Sequence, residues 1–137
     1  MLKKLIGGRL NRKKYIICYL ATIVTCVFLM FAVSAIMLAT GQAAEIKQGN
    51  IVYLSGLVIG LLANLVTICL GIRRLHDLGK GGKWVLVIVI PAVFSFAVYF
   101  VENQLLTNFA SALDIAVIMA LAVMKGNVGA NEYGPAD

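Results

Sequence analysis

The sequence predicts an all-α integral membrane protein: a bundle of four transmembrane helices with both termini in the cytoplasm. Three observations lead there. The 137 residues are 61% hydrophobic and only 13% charged, with a mean hydropathy of +0.95. Soluble domains carry about 25% charged residues, and a fold of this length could not hide so much apolar surface from water. Four apolar runs each come close to the roughly 20 residues needed to cross about 30 Å of hydrocarbon. The basic residues fall almost wholly on one side of those runs. This composition excludes a soluble enzyme domain, a disordered tail and a collagen-like fibre.

In chain order, the cytoplasmic head covers residues 1–14. Leu2, Leu5 and Ile6 with Lys3, Lys4 and Arg9 predict a short interfacial helix, interrupted by Gly7 and Gly8. The first span, 15–39, has 25 residues. Lys3 and Lys4 precede it and Gly41-Gln42-Ala43 follows it, which is also the layout of a cleaved signal peptide. Signal-peptide cores are about 7–15 residues long, so the run is read as a retained span. A short outer loop from Gly41 to Asn50 leads to the second span, 51–72. There Gly56, Gly60, Ala63, Asn64, Thr67 and Gly71 recur in steps of three or four and share one helical face. That face predicts a packing seam, for the other helices of the chain or for a second copy.

The third span, 84–100, starts at Trp84, whose ring suits the membrane interface, and contains Pro91. Proline removes one backbone donor and predicts a kink, with Ser95 placed to satisfy the freed carbonyl. A tight outer turn at Glu102, Asn103 and Gln104 precedes the fourth span, 105–124, where Ala112, Ala116 and Ala120 make a small-residue face. The tail is 125–137, and the whole of 1–137 reads as a single membrane domain.

Counting Lys and Arg orients the bundle. The head holds Lys3, Lys4, Arg9, Arg12, Lys13 and Lys14, the connection between the second and third spans holds Arg73, Arg74, Lys80 and Lys83, and the tail holds Lys125. Only Lys47 lies on the other side. The same distribution explains the pI of about 9.4 without nucleic acid, because the charges flank spans and no aromatic stacking platform accompanies them. The expected contacts are the lipid bilayer and its anionic headgroups, together with a membrane protein partner or a second copy.

Few residues offer chemistry. Asp114, near the middle of the fourth span, would cost about 2.5–3.5 kcal/mol to insert if ionised, so it must face the interior, be protonated or be paired. Asn64 lies at similar depth in the second span and Ser111 one turn from Asp114, which makes Asn64 and Asp114 the candidate intramembrane polar site. Cys18, Cys26 and Cys69 all fall within spans, without the spacing of a disulfide framework or a metal site, and read as small packing residues. If the second helix continues to Leu78 with Gly79 as its C′ residue, Arg73 and Arg74 stand four and three positions before Asp77 and can pair with it. His76 beside Asp77 invites an acid–base or metal reading, but adjacent helical residues point about 100° apart and there is no second histidine. Gly79-Lys80-Gly81-Gly82-Lys83 lacks the spacing and the Ser or Thr of a phosphate loop. No catalytic residue, cofactor or metal is expected.

Three segments carry a family resemblance: Gly8-Arg9-Leu10-Asn11-Arg12-Lys13-Lys14-Tyr15, Arg73-Arg74-Leu75-His76-Asp77-Leu78-Gly79 and Gly129-Ala130-Asn131-Glu132-Tyr133-Gly134-Pro135. With them the chain resembles the small bacterial inner-membrane proteins grouped as domain-of-unknown-function family 805. The chain departs from the family pattern at Lys80-Gly81-Gly82-Lys83-Trp84, where members usually have a basic residue, Ser, Gly and Trp, and at Glu132, commonly Arg. The resemblance implies a multi-pass inner-membrane protein of three or four spans with no established activity or cofactor.

All three segments lie on the predicted cytoplasmic side. Arg9, Arg12, Arg73, Arg74, His76, Asp77, Gly79, Asn131 and Tyr133 are therefore the candidate cytoplasmic motif, a polar cluster that would tie the termini to the central turn. The function expected is non-enzymatic interaction or scaffolding through a basic cytoplasmic face. The alternative is a small transporter or channel component built on Asp114.

Overall fold

Long apolar runs, broken where glycine and asparagine appear, fold here as helices. The computed structural model describes residues 7–41, 50–101 and 103–135. Helix α1 is Arg12–Ala39, α2 is Asn50–Asp77, a 3-10 turn covers Gly82–Val85, α3 is Leu86–Val98 and α4 is Gln104–Val123. Among the described residues no strand forms; a single isolated bridge joins Asn131 and Gly134. Three stretches are long and apolar enough to cross a membrane: Arg12–Ala39, Leu54–Asp77 and Gln104–Val123. The remaining apolar helical segment, Gly82–Val98, is shorter.

The ends of the helices have local causes. Asn11 accepts from the Lys14 amide at 2.9 Å and opens α1. Asn103 does the same for α4, its side chain accepting from the amides of Leu105 and Leu106 at 3.0 and 3.1 Å. Helix α2 continues past the expected end of the second span, through Arg73 and Arg74 to Asp77, because nothing in that basic segment breaks a helix. Gly79 ends it, with φ of +66°. The Gly79 amide donates to His76 O at 3.1 Å and the Lys80 amide to Leu75 O at 2.8 Å, which is the paired pattern of a Schellman stop.

The chain divides into two compact units: residues 1–19 with 67–137, and residues 20–66. In the first, Leu10, Tyr15, Leu75, Ile88 and Leu121 form a buried core, so residues at the start of α1 pack with the end of α2, with α3 and with α4. Gly71 makes the α2–α3 approach possible: a Cβ there would stand 2.7 Å from Ile88 Cδ1. Phe94 and Phe109 meet edge to face, with centroids 6.2 Å apart, across α3 and α4. Pro91 lies inside α3, and the Ser95 hydroxyl, expected to answer for the carbonyl that proline frees, donates instead to Asp114 Oδ2 at 2.5 Å.

In the second unit, Ala21, Thr25 and Cys26 of α1 face Ile59, Leu62 and Ala63 of α2 around a cavity of about 280 Å³. The Thr25 and Ser34 hydroxyls return to the carbonyls one turn back, Ala21 O at 2.8 Å and Met30 O at 3.0 Å, which leaves α1 few unmet polar groups. Phe28 and Phe31 of the same helix are exposed, a pattern that water disfavours and hydrocarbon accepts. The small-residue face of α2 is not one continuous seam. Gly71 is packed against Ile88, whereas at Gly60 an added Cβ would meet nothing within 4 Å. Of the interfacial helix expected over the first twelve residues, 1–6 lie outside the described residues, as do the outer loop at 42–49 and Glu102; residues 7–11 are not helical, because Gly8 takes a φ of +81° and Arg9 turns inward to pair with Asp77.

Candidate functional site

Asp77 occupies the last position of α2, where the helix dipole disfavours an anion, and it is 4% exposed. A carboxylate placed there must be neutralised by its neighbours. Arg9 reaches Asp77 Oδ1 through Nε at 3.1 Å and Nη2 at 3.0 Å. Arg74, one helical turn before Asp77, binds Oδ2 through Nη1. Each oxygen therefore faces its own guanidinium.

The two arginines also gather the rest of the site. Arg9, 4% exposed, donates Nη2 to Asn127 O at 2.6 Å and Nη1 to Gly129 O and, at 3.4 Å, to Gly134 O. Arg74 is fully buried; its Nε donates to Leu121 O at 2.9 Å, Nη1 to Leu10 O at 3.3 Å and Nη2 to Met124 O. Leu121 and Met124 lie at the C-terminal end of α4, where helix carbonyls lack partners of their own, so Arg74 caps α4 while neutralising the end of α2. Arg12 adds a weaker contact to the same helix end, Nη1 to Val123 O at 3.4 Å.

Backbone pairing completes the junction. The Leu10 amide donates to Arg73 O at 3.1 Å and the Asn127 amide to Asp77 O at 2.8 Å. The tail closes on itself between Asn131 and Gly134, with both amides donating at 3.0 Å, and Asn131 Oδ1 accepts from the Tyr133 amide at 2.9 Å. That turn docks on α2: Asn131 Nδ2 donates to His76 O at 2.9 Å, and the Tyr133 ring lies flat on His76, with centroids 4.0 Å apart at an interplanar angle of 3°. His76 Nδ1 lies 3.3 Å from Gly8 O, so head, turn and tail converge on one histidine. The Glu132 carboxylate beside Tyr133 raises that phenol above its ordinary pKa.

The structure thus brings Arg9, Arg74, His76, Asp77, Asn131 and Tyr133 into one knot, with Gly79 as the helix stop beneath it and Arg12 at its edge. Arg73 behaves differently from the expectation that it would share Asp77 with Arg74. It contributes its carbonyl to Leu10, and its buried Nε has no partner among the described residues. One residue step turns its side chain about 100° away from the Arg74 face.

Two glycines that the sequence reading did not single out also matter here. A Cβ at Gly126 would collide with the Asp77 carboxylate, and one at Gly81 with the Tyr133 hydroxyl. Their only sequence signal is a glycine inside a short polar connection, which is common to many turns.

Of the intramembrane pair, Asp114 accepts from Ser95, and Asn64 belongs to the second unit. The three cysteines are free thiols. Among the described residues no three His, Cys, Asp or Glu side chains gather as metal ligands.

An all-helical fold, three helices long and apolar enough to cross a membrane, and a buried ionic knot where head, central turn and tail meet define a small helical protein of membrane type. The chain belongs to the family described as Protein of unknown function (DUF805), whose model matches residues 6–135, nearly its whole length. No curated protein and no solved structure matches it.

Proposed function

We propose that the chain is a four-span protein of the bacterial inner membrane, with both termini in the cytoplasm. It works without catalysis, presenting a basic cytoplasmic face to anionic headgroups or to a partner protein. The observation that carries this reading is how the knot distributes charge. Arg9 and Arg74 are buried and spent on Asp77 and on backbone carbonyls, while Arg12, Lys13, Lys14, Lys80, Lys83 and Lys125 are exposed. The buried ions fix the shape of the junction, and the exposed ones carry positive charge to its surface. Both oxygens of Asp77 are bonded to guanidinium groups, which favours a structural role. The third span in this reading is the turn and helix Gly82–Val98, 17 residues long and at the lower limit for crossing.

The alternative, a transporter or channel component, draws on Asp114, a half-buried carboxyl group in an apolar helix. Its short hydrogen bond from Ser95 supports a static interhelical contact at least as well. The readings separate on whether Asp114 exchanges protons with water. Carboxyl-specific infrared difference spectra of the wild type and Asp114→Asn in lipid, between about pH 4 and 9, report this directly. The interaction reading expects no pH-dependent carboxyl band that the variant abolishes. Such a band would overturn it in favour of proton or ion movement.

A further inference from the structure

Beside the knot, within the same compact unit, the end of α2, the start of α3 and the end of α4 enclose an apolar groove of about 660 Å³. Its walls include Leu78, Trp84, Val87, Val117 and Ala120, and among the described residues its only charged lining side chains are Lys80 and Lys125. The volume falls within the roughly 300–1,000 Å³ of ligand pockets. Both lysines are exposed. Neither is neutralised among the described residues: Asp77 is held by Arg9 and Arg74, Asp114 takes the Ser95 hydroxyl, and Glu132 lies against Tyr133. The Lys80 ammonium stands over the Trp84 ring at 4.5 Å, which keeps one cation at the apolar rim.

An apolar slot with two uncompensated cations at its border complements an amphiphile with an apolar chain and an anionic head. Basic pockets between membrane helices on the cytoplasmic side bind such heads. We propose that this groove is a binding site for one anionic phospholipid: an acyl chain lies along Leu78, Trp84, Val117 and Ala120, and the headgroup phosphate is held by Lys80 and Lys125. The site deepens the reading of a basic face turned toward lipid and rests on its membrane placement. It differs from diffuse attraction in predicting a preference for anionic lipid at one position.

Trp84 is the only tryptophan in the chain and lines the groove, so its fluorescence reports occupancy. The full chain is reconstituted in phosphatidylcholine vesicles containing increasing fractions of brominated phosphatidylglycerol, or of brominated phosphatidylcholine as the neutral comparison. Quenching by the brominated phosphatidylglycerol should reach half its maximum at about a 25-fold lower mole fraction. Each lysine contributes about a fivefold preference, so Lys125→Gln should reduce the difference by about that factor. Lys125→Gln is the informative charge variant because Lys80 also touches the reporter ring. Ala120→Leu, which narrows the groove without altering charge, should weaken the preference too.

Equal quenching by the two lipids would overturn the site while leaving the membrane placement intact. A preference unchanged in both variants would also overturn it. Absence of quenching by either lipid would overturn the site and the membrane reading together. Low-fraction, Lys125-dependent quenching by brominated oleic acid, with none from the phosphatidylglycerol, would replace the proposed phospholipid with a free fatty acid.

Discussion

Asp77→Ala is expected to destabilise the protein by about 3–5 kcal/mol, the usual cost of removing one partner from a buried ionic cluster. The loss arises because Arg9 and Arg74 stay behind, both buried, with a carboxylate no longer between them. Arg9 also joins the carbonyls of Asn127, Gly129 and Gly134, so its release should free the tail as well as the head. The readout is thermal unfolding of the purified protein in detergent, where the midpoint should fall by on the order of 10 °C. Protease sensitivity of the segment after Met124 should rise in parallel. Asp77→Asn, which keeps an acceptor oxygen but loses the charge, should fall between the two. A melting temperature and tail protection unchanged in Asp77→Ala would mean that the knot contributes nothing to holding the segments together.

Arg74→Lys should cost about 3 kcal/mol although it preserves the charge. The guanidinium spreads its donors over four residues, Leu10, Asp77, Leu121 and Met124, from a fully buried position. A lysine ammonium is a single point with three donors and lacks the planar fork, so it can satisfy Asp77 only by leaving helix-end carbonyls unpaired. Each buried acceptor left so costs about 1–3 kcal/mol. Arg12→Lys provides the contrast: its side chain is exposed and makes one 3.4 Å contact to the same helix end. That change should stay within about 0.5 kcal/mol in the same unfolding assay. If Arg74→Lys melts like Arg12→Lys, the buried position of Arg74 reflects charge placement and not capping of α4.

The helices were legible because hydrophobic run length is a strong local signal. The segments 15–39 and 105–124 differ only slightly from Arg12–Ala39 and Gln104–Val123. The stop at Gly79 was legible for the same reason, since a C′ glycine after Arg and His in the last turn is read within six residues of sequence. Part of the knot was local as well: Arg74 and Asp77 lie three apart on one helix. Arg9 was placeable only as a member of the same cytoplasmic side, because its partners lie 68 or more positions away.

Other features depend on tertiary approach and leave little trace in the sequence. Gly126 and Gly81 matter for what would strike a Cβ, which requires knowing that Asp77 and Tyr133 come that close. Proximity in sequence points Ser95 to the proline-freed carbonyl. Its partner is the Asp114 carboxyl on the adjacent helix. Spacing alone allows Arg73 as well as Arg74 to reach Asp77, since i, i+4 and i, i+3 both permit a pair; the fold selects only the second.

We propose that head, central turn and tail share the cytoplasmic side of one membrane, held there by the knot. Single cysteines placed by Lys13→Cys, Lys83→Cys and Val128→Cys, in a background with Cys18, Cys26 and Cys69 changed to Ala, test it directly. A fourth cysteine, from Lys47→Cys, marks the opposite side. A membrane-impermeant maleimide added to intact spheroplasts should label only the cysteine at 47, and all four should label after permeabilisation. Labelling at 13, 83 or 128 in intact spheroplasts would place part of the knot outside and overturn this topology.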